Sequence, residues 1–192
     1  MTNPNLRITT PDGYLDSKAA DRVATFNGRV SEFDAELRQL DIDATGQDIN
    51  VMTVEVSELE QWQHIMRRRR LELGRQGLAM CEEREALVDD LLAESAEAIK
   101  AADVALEKAT AKTIEALANA GIGPRPGAAP NAAKIQMQHK ARESAPVTDA
   151  RNRLATVKTA TELLHTAQRS DEQLRDHYRS EVELVIACYG LW

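Results

Sequence analysis

The stretch that decides the fold is Val23-Ala-Thr-Phe-Asn-Gly-Arg-Val-Ser-Glu-Phe-Asp-Ala-Glu-Leu-Arg-Gln-Leu40. Its large apolar residues follow one another in steps of three and four. This spacing places them on one narrow stripe of an α-helix, as in the heptad seam of a coiled coil. We therefore predict a first helix that begins near Ser17 and ends in a turn that reaches Gly46.

A longer apolar stripe follows this turn. It is formed by residues that recur every seven positions: Leu59, Met66, Leu73, Met80 and Leu87. The companion positions of the same seam include the polar residues Gln63, Arg70 and Arg84, and polar residues in a seam can select its register. After Leu91 the spacing changes as though four residues were inserted, which locally unwinds a supercoil. We predict one very long central helix that ends before Gly121.

The remainder of the chain predicts a connection and a last helix. Residues 121–146 form a Pro/Gly/Ala-rich basic connection, in which a short helix is expected over residues 131–145. The last helix carries a stripe that polar Gln168, Asp171 and Arg175 interrupt before Tyr178 resumes it. The chain closes on a short apolar tail, Gly-Leu-Trp192.

These elements predict an all-α fold of elongated antiparallel helical hairpins, or a coiled coil, around the long central helix. At ~1.5 Å per residue, the central helix has about the combined length of the other two long helices. We therefore expect the first helix to pack on its first part and the last helix on its second part, with Gly74–Gly77 where one replaces the other. One elongated unit would contain an extended arm (1–13), two helices (14–120), the connection (121–146) and the last helix with its tail (147–192).

A rod that is two helices deep leaves its apolar stripes partly uncovered, so the sequence predicts a homo-oligomer. The expected oligomer seam consists of Val23, Phe26, Val30, Phe33, Leu37, Leu59, Met66, Leu73, Met80, Leu87, Leu154, Val157, Leu164, Tyr178, Val182 and Val185. The residues do not distinguish a dimer from a trimer, or helix pairing within a chain from pairing between chains.

The run Arg67-Arg68-Arg69-Arg70 is a candidate anion-binding band, because a symmetric oligomer would turn it into a ring of positive charge. Four consecutive helical residues point in different directions around the helix. The alternative interpretation is therefore salt bridging to acidic residues of neighbouring helices, and it is the one we favour.

Composition narrows the classes of function. The 192 residues are 43% hydrophobic but only 4% aromatic, and the net charge is −7. Scarce large rings favour thin helical seams over a wide core, and the acidic balance argues against a nucleic-acid or membrane partner. No signal peptide or apolar span is evident, which predicts a cytoplasmic protein or one built into a particle assembled there.

No catalytic, cofactor-binding or metal-binding motif is recognisable, so the chain is predicted not to be an enzyme and to require no cofactor. We expect a structural or assembly protein, a subunit of a larger homo-oligomer with other proteins as partners; a phage virion fibre, neck or scaffold component is a concrete case. The alternatives are a helical adaptor or regulator that docks a partner protein, and a nucleic-acid-binding oligomer that uses Arg67–Arg70.

Overall fold

The computed structural model describes residues 5–11, 15, 17–45, 56–122 and 130–189. Four helices follow one another in this part of the chain: α1 (Ser17–Thr45), α2 (Val56–Asn119), α3 (Pro130–Arg142) and α4 (Ala145–Tyr189). The predictions of an all-helical fold and of one very long central helix are therefore confirmed. The predicted turn at Gly46, residues 123–129 of the connection and the apolar tail at 190–192 lie outside the described residues.

The end of α2 shows how a local signal sets a helix boundary. Gly121 has a φ of +70°, a conformation that favours glycine because it has no Cβ. Its N–H donates to the carbonyl of Ala118, and the N–H of Ile122 donates to that of Leu117, both at 3.0 Å. This pattern of hydrogen bonds satisfies the last carbonyls of the helix and ends it.

The chain divides into two compact units. The first unit comprises Met1–Thr9, Leu15–Asp90 and Leu164–Trp192, and the second comprises Thr10–Tyr14 and Leu91–Leu163. On α2 the division falls at Leu91, the residue after which the spacing of the apolar stripe changes. Among the described helices, none combines the length and the apolar content that crossing a membrane requires.

The first unit has a closed apolar core built by three helices. Phe26 and Phe33 of α1 are each 1% exposed, and Tyr178 of α4 is 3% exposed. The rings of Phe33 and Tyr178 meet edge to face, with their centroids 5.9 Å apart. A Cβ placed on Gly77 of α2 would lie 2.4 Å from Cδ1 of Tyr178, so α2 also touches this ring. All three helices therefore meet at Tyr178.

The three-helix core differs from the sequence prediction at Gly74–Gly77. The first and last helices were expected to pack on different parts of α2 and to exchange there, in a rod two helices deep. In the first unit both pack on the same part of α2. Glycine has no side chain, so Gly74 and Gly77 form notches that receive Val182 and Tyr178 of α4. The two glycines therefore mark a place where α2 and α4 approach each other closely. Low helix propensity alone indicates only a weak point in the helix, so it does not predict this contact.

The second unit is covered less completely. Its described residues bury Leu91, Ala141, Val147, Leu154 and Ala160. Its part of α2 is different, because none of residues 96–119 is buried. The apolar stripe of this segment is half-buried throughout: Ile99, Ala102, Leu106, Ala109 and Leu117. The described α3 and the start of α4 therefore cover only part of the stripe.

Candidate functional site

The first unit encloses a charged group, Arg84 of α2, which is 2% exposed. Its guanidinium forms an ion pair with Asp171 of α4, which is 3% exposed. It also donates hydrogen bonds to the carbonyl oxygens of Leu6 and Ala167, both at 3.0 Å, and to the hydroxyl of Ser170 at 3.3 Å. Burial of a charge is unfavourable unless it is paired and hydrogen-bonded. Arg84 meets this condition by joining α2, α4 and the segment that precedes α1.

Burial also lowers the pKa of Arg84 from its ordinary value, because it disfavours the charged form. Arg84 has three hydrogen-bond acceptors besides Asp171, whereas Asp171 relies on Arg84 for its stabilisation. Within the described residues, the two carboxylate oxygens of Asp171 accept no hydrogen bond beyond the ion pair. Loss of Arg84 would therefore leave a buried carboxylate with no compensating charge.

Two further polar contacts accompany this ion pair on the same two helices. Gln168 of α4 donates to Asp89 of α2 at 2.8 Å, and Arg175 of α4 forms an ion pair with Glu85 of α2. The three α4 residues that interrupt the predicted seam therefore face polar residues of α2. These contacts fix one register between α2 and α4, because a shift along either helix would separate every pair.

Two other buried groups in this region are held in their neutral forms. Burial raises the pKa of the Cys81 thiol to about 11, although the nearby Arg84 and Arg175 oppose the shift. Burial is also the largest cause that raises the pKa of Tyr178, to which Cys81 adds. A nucleophilic cysteine requires a lowered pKa. The environment of Cys81 acts in the opposite direction, so this cluster has the character of a structural core.

The segment before α1 lies against this core in an extended form. Leu6 and Ile8 are 1% and 2% exposed, whereas Asn5, Arg7 and Thr9 between and beside them are exposed. The sequence predicts an extended arm over residues 1–13, and the burial of Leu6 and Ile8 goes beyond that prediction. The alternation of apolar and polar residues over Asn5–Thr9 was the available signal, since it is the pattern of a half-buried extended chain.

The predicted oligomer seam lies largely inside the chain. Its buried members are Val23, Phe26, Val30, Phe33, Leu73, Met80, Leu154, Leu164, Tyr178 and Val185. Its half-buried members are Leu37, Leu59, Met66, Leu87, Val157 and Val182. Burial within one chain removes the buried members from any contact with a second copy, and leaves only the half-buried members partly accessible. The homo-oligomer and its seam stay predictions.

The four arginines of the run have partners within the first unit. Arg67 donates to Gln63 at 3.0 Å and Arg68 contacts Glu72 at 3.2 Å, each one turn away on α2. Arg69 forms an ion pair with Asp43 of α1 at 2.8 Å. Arg70 lies 3.6 Å from Glu181 of α4. A phosphate at this band would have to compete with these side chains.

Comparison with models of protein families, with curated protein sequences and with solved structures finds no match to this chain.

Proposed function

We propose that the chain is a non-enzymatic structural or assembly protein that acts as a subunit of a larger homo-oligomer. The observation that carries this proposal is the half-buried stripe of α2 in the second unit, which we call the open stripe: Ile99, Ala102, Leu106, Ala109 and Leu117. Apolar surface that remains in contact with water favours association, at roughly 25 cal/mol per Å² of apolar area covered. A second copy would cover the open stripe.

We further propose that the helices of the first unit form antiparallel hairpins with coiled-coil spacing. Three ion pairs support this arrangement: Arg22–Asp90, Arg29–Glu83 and Asp43–Arg69. From Arg22 to Arg29 the chain advances seven residues along α1, and the partner moves back seven along α2. From Arg29 to Asp43 the chain advances fourteen residues along α1, and the partner moves back fourteen residues along α2, from Glu83 to Arg69. Steps of whole heptads in opposite directions are those of an antiparallel pair of helices.

The electrostatic environment supports a structural role over catalysis. Catalytic groups usually have pKa values shifted towards the pH at which they work. Among the described residues, burial raises the pKa values of Cys81 and Tyr178, which moves both further from neutral pH. Buried Arg84 makes its hydrogen bonds to the chain itself. We therefore propose that the function lies in the surfaces of the chain. We also propose that the chain acts in the cytoplasm or in a particle assembled there.

The test is the mass of the particle, measured by light scattering after size-exclusion chromatography, together with small-angle X-ray scattering. The double variant Ala102→Asp/Ala109→Asp places two charges on the open stripe, and we expect it to reduce the particle to a single chain. The matched control is Ala101→Asp/Ala105→Asp, which places the same charges on exposed positions of the same segment. We expect the control to keep the mass of the wild-type particle. A wild-type chain that remains a monomer at micromolar concentration would refute the proposal.

The nucleic-acid alternative has less support, because Arg67–Arg70 already contact acceptors of the same chain. The adaptor alternative shares the open stripe with our proposal, and the mass measurement separates them. An adaptor would remain a single chain until its partner is added.

A further inference from the structure

The extended segment Asn5–Thr9 is part of the predicted arm of residues 1–13, and from here on the word arm refers to this segment alone. It is bound as a peptide ligand would be. Asn27 of α1 holds the backbone of Ile8 at two points: its amide oxygen accepts from the N–H of Ile8 at 3.0 Å, and its amide nitrogen donates to the carbonyl at 2.9 Å. This is the hydrogen-bond pattern that a neighbouring β-strand would supply. Arg84 donates to the carbonyl of Leu6, two residues earlier.

The site that receives the arm, which we call the socket, recognises side chains as well as backbone. Leu6 and Ile8 are almost completely buried. Arg7 between them points outward and donates to the hydroxyl of Ser31 at 3.0 Å. Backbone hydrogen bonds combined with pockets for alternate side chains are the means by which proteins bind extended peptides. The socket therefore fits an extended apolar-x-apolar segment.

An empty socket would be unfavourable. Without the arm, the Nε–H of buried Arg84 would lose the acceptor that Leu6 provides, and the pockets of Leu6 and Ile8 would open to water. Occupation of the socket is therefore favourable, and nothing in these contacts requires the occupant to come from the same chain. The contacts join residues that are 19, 24 and 78 positions apart. The arm of a second copy has the same sequence and therefore carries the same groups for these contacts.

We propose that the socket also accepts the arm of a second copy of this chain, so that exchange of arms links copies in the assembly. This inference rests on the proposed homo-oligomer. When copies are already associated at the open stripe, a neighbour's arm is present at a high effective concentration and competes with the chain's own arm. Exchange of an identical element between copies adds a link without any new type of contact.

The first experiment uses the full chain with Leu6→Asp/Ile8→Asp, in which the arm cannot enter an intact socket. A fluorescent peptide, Asn-Leu-Arg-Ile-Thr-Thr-Pro, which corresponds to residues 5–11, is titrated into it and followed by anisotropy. We expect saturable binding to this variant. We expect binding at least about tenfold weaker to the wild-type chain at concentrations where it is a single chain, because its own arm competes. A peptide with both Asp substitutions is the control, and it should not bind.

The socket is tested with Asn27→Leu, which has a similar size but forms neither hydrogen bond with Ile8. Added to the arm variant, it should weaken peptide binding by about tenfold, since two hydrogen bonds are lost. If the double Asp chain loses its helical circular dichroism, Leu6→Ala/Ile8→Ala replaces it. A folded arm variant that does not bind the peptide overturns the proposal.

The link between copies is tested by complementation. A chain with an intact arm but the Asn27→Leu socket is mixed with a chain that has an intact socket but the Asp-substituted arm. Both chains also carry Ala102→Asp/Ala109→Asp, which removes association at the open stripe. We then expect the mixture to form a particle of two chains that neither variant forms alone at the same concentration. Peptide binding without this pairing would overturn the exchange of arms. The wild-type mass measurement is separate: a monomer would refute the proposed oligomer, whereas an oligomer without complementation would refute only the exchange.

Discussion

The substitution Gly77→Ala gives the sharpest test of the first unit, because two physical effects of known sign oppose each other there. In the interior of an exposed helix, alanine is more stable than glycine by about 1 kcal/mol. In the structure, however, a Cβ at this position would lie 2.4 Å from Cδ1 and 2.8 Å from Cγ of Tyr178. Normal contacts between carbon atoms are about 3.5–4.0 Å, so the ring would have to move by about 1 Å.

Tyr178 has little freedom for such a movement. The residue is 3% exposed and its ring packs against Phe33. Its Cγ atom is only two bonds from Cα, so this atom cannot move far unless the backbone of α4 also moves. Overpacking of a closed core costs about 1–3 kcal/mol, and a contact this short belongs at the upper end. After the gain in helix propensity, we expect Gly77→Ala to lower the free energy of unfolding by about 2 kcal/mol. The melting temperature should then fall by roughly 4–8 °C.

Gly28→Ala is the matched control, because Gly28 also lies in a helix, but among the described residues no atom outside its own stretch of helix lies within 4 Å of the added Cβ. It should raise the free energy of unfolding by about 0.4–1 kcal/mol. Gly74→Ala should fall between the two, since its Cβ meets one methyl group of Val182 at 2.8 Å. The assay is urea unfolding followed by circular dichroism. If Gly77→Ala stabilises the chain as much as Gly28→Ala does, α4 does not pack against this face of α2.

Three further predictions concern the charged and titratable groups. Arg84→Met should destabilise the chain by about 3–5 kcal/mol in urea unfolding, because it leaves the Asp171 carboxylate buried and unpaired; Arg84→Met/Asp171→Leu should recover most of this loss, and no recovery would show that the two groups are not coupled. Replacement of Arg67–Arg70 by Gln should leave retention on DNA at low salt unchanged, whereas a loss of salt-sensitive retention would favour the nucleic-acid alternative. The pKa of Cys81 is raised from 9.0 to about 11, so its stabilising effect should be complete below pH 9 and lost as the pH rises to about 11. The fall in stability over this range should be smaller in Cys81→Ala, and an identical fall in both chains would contradict the shift.

The spacing of apolar residues was sufficient to predict the helices. Steps of three and four between Val23 and Leu40 have a strong helical period, and the long central stripe has no proline to break it. The end of α2 at Gly121 could also be predicted, because the conformation of this glycine is a local property of the chain. These features depend on residues that are close in sequence, so no knowledge of the tertiary fold was required.

The closure of the first unit was not predicted, because a heptad pattern states that a stripe will be covered but not what covers it. The same pattern fits a partner helix in the same chain and one in another copy. The arm was missed for a related reason. Leu6 and Ile8 are two apolar residues in a short polar segment, and their burial depends on a socket that includes Asn27 and Arg84.

The polar residues within the stripes carry the information that the apolar residues lack. When one helix shifts by one heptad along another, its apolar residues still meet apolar residues. A buried charged residue, however, then no longer lies opposite a residue of opposite charge. Arg84 and Asp171 are each unfavourable in a seam when considered alone, and each becomes tolerable when the other is opposite. The neighbouring pair Arg175–Glu85 repeats this match on the same two helices. Two apolar stripes of one chain can thus each contain charged residues. If these charges pair with opposite sign when the two helices are aligned antiparallel, we predict that the helices pack on each other within the chain. The open stripe of the second unit differs in this respect. Its five members are all apolar, so no charge restricts which helix packs on it, and a helix from another copy would also fit.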